Sequence, residues 1–272
     1  SYVRAFELAS DEGDDASSLY YAAHVGRLAV RAHRPGKAIT LLEQAIEKAE
    51  GDDGPMQANL LQLLGRCLAI QGQASRAREV TERALEVAEK HDDLRLGFET
   101  AKALAFVLYY GAEFVDSAAA FERCIDMAEK LGDRSEVALN LYNVSDASLL
   151  AEDWKRALEF ADKAADAARG VENVAFVRHS ALGISAYIRA YYQDEVEAEE
   201  ELERWIVYSD RKDYVDQQID SRHYLALVLE HKGERDAALS IAQAALDIAR
   251  EAESDQSIRR IADLFVWLEK AD

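Results

Sequence analysis

Residues 84–88 read Ala84-Leu85-Glu86-Val87-Ala88, a small–apolar–acidic–x–small pattern. The pattern returns as Ala5-Phe6-Glu7-Leu8-Ala9, Ala45-Ile46-Glu47-Lys48-Ala49 and Cys124-Ile125-Asp126-Met127-Ala128. It continues in Ala164-Ala165-Asp166-Ala167-Ala168 and Ala245-Leu246-Asp247-Ile248-Ala249, with a degenerate copy at Trp205-Ile206-Val207-Tyr208-Ser209. First residues step by 40, 39, 40, 40, 41 and 40. A period held this closely marks an array of stacked units, each sharing its apolar face with its neighbours, rather than one central core.

Each period contains two helix-like stretches. In the second, Met56–Gln71 and Ser75–Lys90 each carry apolar residues at helical intervals around the breaker Gly72-Gln73. Helices of about 16 residues run about 24 Å, and a tight turn forces them antiparallel. Further breakers fall between units, at Gly51-Asp52-Asp53-Gly54-Pro55, His91-Asp92-Asp93, Leu131-Gly132-Asp133 and Gly170-Val171-Glu172-Asn173. The 39-residue step maps to the first of these loops and the 41-residue step to the last, so length variation sits in loops.

A second series predicts how the helices pack. Small residues stand in the first helix of each pair at Gly26, Gly65, Ala105, Ser145, Ala186 and Ala226. Twelve residues on come Ala38, Ala77, Ser117, Ala157, Ala198 and Ala238, and seven further Ala45, Ala84, Cys124, Ala164, Trp205 and Ala245. Small side chains let helix backbones approach, so each triple marks contacts within and between pairs. Trp205 is the exception; a ring where other repeats hold Ala predicts a splayed fifth repeat, with a pocket near Tyr187 and Tyr191 as one outcome.

Composition agrees with helices. Of 272 residues 49% are hydrophobic, with 13 Gly and only 2 Pro, too few breakers for an all-β chain that turns every 8–12 residues. Acidic residues outnumber basic ones 52 to 32, a net charge of −20 that argues against a nucleic-acid partner. The longest apolar run, Ala103 to Tyr110, is far short of the ~20 residues a membrane span needs, and Ser1-Tyr2-Val3-Arg4 do not read as the charged-then-apolar pattern of a signal peptide. A cytoplasmic location is expected. The first residues, 2–9, read as the end of a second helix whose partner lies upstream, so a fragment of a larger protein is expected.

The small–x11–small–x6–small spacing, with Phe114 and Trp154 opening second helices, resembles the tetratricopeptide repeat. The resemblance implies an all-α, right-handed superhelical α-solenoid of about six helix pairs. Those pairs span 17–50, 56–90, 94–130, 134–169, 173–210 and 215–251, after the end of a preceding repeat in 1–10. A capping helix at 256–270 follows, with Ile258, Ile261, Phe265 and Leu268 on its apolar face and Val266 where a small residue would be due. Two departures stand out. The period is 40 rather than 34, and no Pro ends the second helices, as in the extended subgroup of kinesin light chains and bacterial regulators. HEAT-type repeats share the period and remain the alternative fold.

No catalytic constellation is visible. The six histidines form no helical i,i+4 ligand pair, and His223 and His231 lie two turns apart. Cys67 and Cys124 fall at packing positions and read as inert core thiols. The loops Asp11–Asp15 and Gly51–Gly54 lack the alternating ligands of a calcium site. Glu195–Glu203 reads as a solvated helix face, with docking of a basic partner as the alternative. The expectation is a chain without enzyme activity, metal or cofactor.

In the tetratricopeptide family the first helices line a concave groove. That geometry implies Tyr20, Ala23 and Arg27, Asn59, Gln62 and Arg66, and Lys102, Phe106 and Tyr109 on the inner wall. Tyr142, Asn143 and Asp146, then Gly183, Tyr187 and Tyr191, then His223 and Leu227 continue it. Aromatics offer contact area, amides bond a peptide backbone, and Arg27, Arg66 and Lys102 would grip carboxylates. The implied function is capture of a protein or peptide segment bearing acidic groups, as part of a regulatory or signalling protein. A bacterial small-ligand sensor and an oligomerisation platform are the alternatives, and the oligomeric state is left open.

Overall fold

The computed structural model describes residues 2–49, 54–252 and 255–270. Among them fourteen α-helices and one 3-10 turn account for all regular structure. Contacts divide the chain into two compact units, Ser1–Ala151 and Glu152–Asp272.

The first unit holds α1 (Tyr2–Asp11), α2 (Asp15–Arg31), α3 (Gly36–Lys48), α4 (Pro55–Ile70), α5 (Ala74–Glu89), α6 (Leu94–Tyr110), α7 (Phe114–Lys130) and α8 (Arg134–Leu150). Consecutive helices pack antiparallel, and α4 also packs directly on both α2 and α6. First helices thus lie side by side in one layer, with α3, α5 and α7 behind them. The second unit holds α9 (Trp154–Ala167), the 3-10 turn Glu172–Val174, α10 (Ala175–Gln193), α11 (Val196–Lys212), α12 (Val215–His231), α13 (Arg235–Glu251) and α14 (Asp255–Lys270). There α10 packs on α9, α11 and α12, and α13 on α12 and α14. The division falls inside the expected fourth pair, 134–169: α8 belongs with α7, and α9 with α10.

The small-residue series is the physical core of both units. Every member from Gly26 to Ala245 is buried, Trp205 included. Ser117 Oγ donates to Ala105 O at 2.9 Å, tying α7 to α6 where the series brings two backbones together. Around these contacts Leu42, Leu60, Leu63, Phe98 and Phe121 are fully buried, each contributing about 1.5–3 kcal/mol.

Helix ends follow the sequence closely. Asp93 accepts from Leu96 N at 3.1 Å, Asp133 from Glu136 N at 3.2 Å and Asp153 from Arg156 N at 3.1 Å, each satisfying an otherwise orphaned donor. Asp14 does the same for Ser17 N, and the side chain and backbone N–H of Ser17 together hold its carboxyl below its ordinary value, so the Asp11–Asp15 loop is a helix cap. Residues 51–53 of the other acidic loop, and the side chain of Leu268, lie outside what is described. Ile261 and Leu264 of α14 are buried while Val266 is exposed.

Trp205 corrects an expectation. Its indole lies against Gly183 of α10, where an added Cβ would sit 2.5 Å from Cδ2 and Cζ3 and closer still to Cε3. The fifth repeat accommodates the large ring by deleting the side chain opposite it. Gly183 is therefore a packing residue under Trp205 and not part of an inner wall.

Candidate functional site

The residue following each small packing position on a first helix recurs as a stripe: Arg27, Arg66, Phe106 and Asp146 in the first unit. One helical register thus repeats at one place on α2, α4, α6 and α8. Arg27 is exposed at its α2 end. The Arg66 guanidinium lies 4.6 Å from the Phe106 ring centroid, a cation–π contact between α4 and α6. Protein surrounds Arg66 closely enough for desolvation to lower its pKa, against the opposing fields of Glu99, Tyr110, Cys67 and Glu136. Among the described residues no carboxylate reaches ion-pair distance of Arg66. It is a charge held at a wall without an anionic partner.

Beyond Phe106 the layer changes character. The backbones of α6 and α8 do not pack closely as α4 and α6 do, and long polar side chains span them instead. Lys102 Nζ pairs with Glu136 Oε1 of α8 at 3.0 Å and with Glu99 Oε2 at 3.2 Å, and lies 4.6 Å from the Phe98 ring. Tyr109 Oη donates to Asp146 Oδ2 at 2.6 Å, again from α6 to α8. At the other end Tyr110 Oη meets His33 Nδ1 at 3.3 Å, so residues two repeats apart touch. That contact requires the first-helix layer of this unit to curve inward at its C-terminal edge.

Several expected groove residues are placed elsewhere. Lys102 is buried and neutralised by two carboxylates, so it is not a free cation. Gln62 is buried at 4% exposure and donates through Nε2 to Asn59 Oδ1 at 3.2 Å, which directs both amides at each other. Ala23 is buried in the core, as its size and register favour. Tyr20 is exposed and packs edge-on to His24, while Phe106, Tyr109, Tyr142 and Asn143 are half-buried. Glu99 and Glu136 escaped the sequence reading. Glu136 lies 34 residues beyond Lys102, and nothing local announces the pair.

In the second unit the equivalent surface is aromatic. Tyr187 occupies the register of Phe106 but is buried, stacked on Tyr224 at 4.7 Å, because α10 and α12 pack directly. Burial raises the Tyr187 hydroxyl pKa, with Tyr192 and Tyr191 adding to the effect. Tyr191 is half-buried, 4.6 Å from His231. His223 is half-buried beside Arg260 of α14; desolvation lowers its pKa to about 3, with Arg260 adding to it. Its Nδ1 has no hydrogen-bond partner among the described residues. Burial likewise pushes the thiols of Cys67 and Cys124 up, to about 11 and about 12. Among the described residues no group of three or more His, Cys, Asp or Glu could hold a metal ion. No described helix is long and apolar enough to cross a membrane.

Antiparallel helix pairs packed in each unit through small residues, with Trp205 the one exception in the series, define a helical-repeat protein. Residues 15–90 match the tetratricopeptide repeat family, and the whole chain has that helical-repeat fold. First helices begin at 15, 55, 94, 134, 175 and 215, the extended period of about 40. No curated protein matches the chain by sequence. Solved structures match by fold. A signal transduction ATPase with numerous domains and a tetratricopeptide repeat sensor, from Pyrococcus horikoshii, aligns at a TM-score of 0.69 and 16% identity. That alignment covers 99% of this chain and 44% of that one. Aspartyl phosphate phosphatase F from Bacillus subtilis aligns at 0.67 and 15%, covering 97% and 73%. A Rap protein complexed with competence and sporulation factor aligns at 0.64 and 16%, covering 94% and 75%.

Proposed function

We propose that the first unit is a protein-interaction scaffold that captures a partner segment bearing an acidic residue on the face of α2, α4, α6 and α8. Arg66 carries this reading. A guanidinium whose hydration is already largely lost, braced on Phe106 and with no carboxylate in ion-pair reach, binds an incoming carboxylate with less further desolvation than a solvated arginine. Arg27, one repeat away and exposed, is the second anion contact. Tyr20, Phe106, Tyr109 and Tyr142 supply contact area, and Asn143 faces the partner backbone. Lys102 takes no direct part; with Glu99 and Glu136 it fixes α6 against α8.

The reading is of a binding domain without enzyme activity of its own, in a cytoplasmic regulatory protein. The Rap protein complexed with competence and sporulation factor has the same fold, and lends support as a precedent for partner binding on such an array. A small-ligand cavity beside Trp205 finds no support, since Trp205, Tyr187 and Tyr224 are 3%, 7% and 8% exposed and fill that space with rings.

Peptide-display selection on the chain tests the proposal. Enriched peptides should carry Asp or Glu and lose about 10- to 100-fold in affinity against Arg66→Met, the range expected for charge-assisted hydrogen bonds of about 1.5–3 kcal/mol. Enriched peptides that bind Arg66→Met as tightly as the native chain would refute the site.

A further inference from the structure

The second unit carries an exposed aromatic ledge outside the site just described. Trp154 at the start of α9 stacks on Tyr192 at 5.6 Å with ring planes 9° apart. Tyr192 meets Tyr191 edge-on at 4.9 Å, and Tyr191 packs on His231, the last residue of α12, at 4.6 Å. Beneath them Tyr187 touches both tyrosines, and its stack on Tyr224 is backed by Trp205. The lower rings are buried and fix the upper ones in place. Of the upper rings, Tyr192 is 43% exposed and His231 is exposed, while Trp154 and Tyr191 are half-buried.

Two carboxylates lie beside the ledge. Asp194 lies 3.4 Å from His231 Nε2, and Glu230 acts on the Tyr191 hydroxyl through its charge. Glu152 precedes Trp154 by two residues and Glu195 follows Asp194, both exposed. Glu152, Glu195 and Glu230 have no ion-pair partner among the described residues. The neighbouring cations are committed: Arg189 to Asp162 at 3.1 Å, and Lys232 to Glu199. Lys155 lies 5.4 Å from the Trp154 ring, so this ring already accepts a cation from its own chain.

Exposed ring surface beside a carboxylate without an ion-pair partner attracts a cation, and a flat guanidinium satisfies both by stacking on the rings and forking to the carboxylate. We propose that the ledge of Trp154, Tyr191, Tyr192 and His231, with Asp194 and Glu230, binds an arginine side chain of a peptide partner. Its chemistry is opposite to that of the Arg66 face, so the two sites recognise different residues. A proline-rich segment would use the rings and leave the carboxylates idle, which is why charge decides for arginine.

Isothermal titration of the whole chain with acetyl-Arg-Gly-Arg-Gly-Arg-amide tests this. Saturable binding is expected, weakened at least tenfold when citrulline replaces arginine and at least tenfold in Tyr192→Leu. Tyr192→Leu keeps an apolar side chain at an exposed position, and an unchanged melting curve confirms that the fold persists. Glu230→Gln should weaken binding severalfold. Equal binding by native chain and Tyr192→Leu, equal binding of the citrulline peptide, a hexaproline peptide binding as tightly, or no saturable binding would each overturn the assignment.

Discussion

In the first unit, α6 and α8 are held by charge: Lys102 between Glu99 and Glu136, and Tyr109 on Asp146. In the second unit, α10 and α12 are held by rings, Tyr187 on Tyr224 with Trp205 behind. The same buried positions run beneath both, small at every one but Trp205. Backbone approach is therefore set by one set of positions, while the residues next to them are free to differ. The repeat fixes where a side chain points, and its neighbours on the next helix decide whether it is spent on packing or left for a partner.

The contrast is most sharply broken at Gly183. On helix propensity alone Gly→Ala in a helix interior gains about 1 kcal/mol. Here the new methyl group would overlap the rigid indole of Trp205. Overpacking of this kind costs about 3 kcal/mol and wins. Gly183→Ala should lower unfolding free energy by about 2 kcal/mol net in denaturant titration, and adding Trp205→Ala should reverse the sign of the Gly183→Ala effect. If Gly183→Ala alone stabilises the chain, the pairing of Gly183 with Trp205 does not hold the second unit together.

These two residues also show what the sequence disclosed. Every member of the small series is buried because a helix crossing admits little volume, and that constraint repeats every forty residues in plain view. Trp205 stood out against it, but its compensation lies 22 residues back on another helix, at a glycine that family geometry placed on the inner wall. Lys102 was misplaced for a related reason. Its register on α6 is that of an inner-wall residue, yet its exposure is decided by Glu136 on α8. Arg66 and Phe106 meet across a close helix contact, so each is placed by the other. Register was legible; pairing across helices was not.

In the first unit the corresponding experiment removes the central cation. Lys102→Met keeps the stem length and leaves Glu99 and Glu136 facing each other. Removing one partner of a fully buried pair costs about 3–5 kcal/mol, and Glu99 and Glu136 remain 34% and 20% exposed, so about 2 kcal/mol is expected. Glu136→Gln in the same chain should recover part of it. A loss below about 0.5 kcal/mol would mean that α6 and α8 are held by something other than charge.

A graded effect separates the units by pH. His223 has a folded pKa of about 3 against an ordinary value of 6.5, because burial penalises its charged form first and Arg260 adds repulsion. Between these values the unfolded chain binds a proton that the folded chain refuses. The contribution of neutral His223 is therefore complete above pH 6.5 and falls by about 1.4 kcal/mol for each pH unit below it, levelling off near pH 3. Carboxylates throughout the chain titrate over part of the same range, so the informative quantity is the difference between the native chain and His223→Gln. Glutamine is neutral at every pH and close in size. The native chain should lose stability relative to His223→Gln as pH falls from 7 to 5. If the two curves run parallel there, His223 is accessible to protons in the folded state and the α12–α14 contact is looser than its packing indicates.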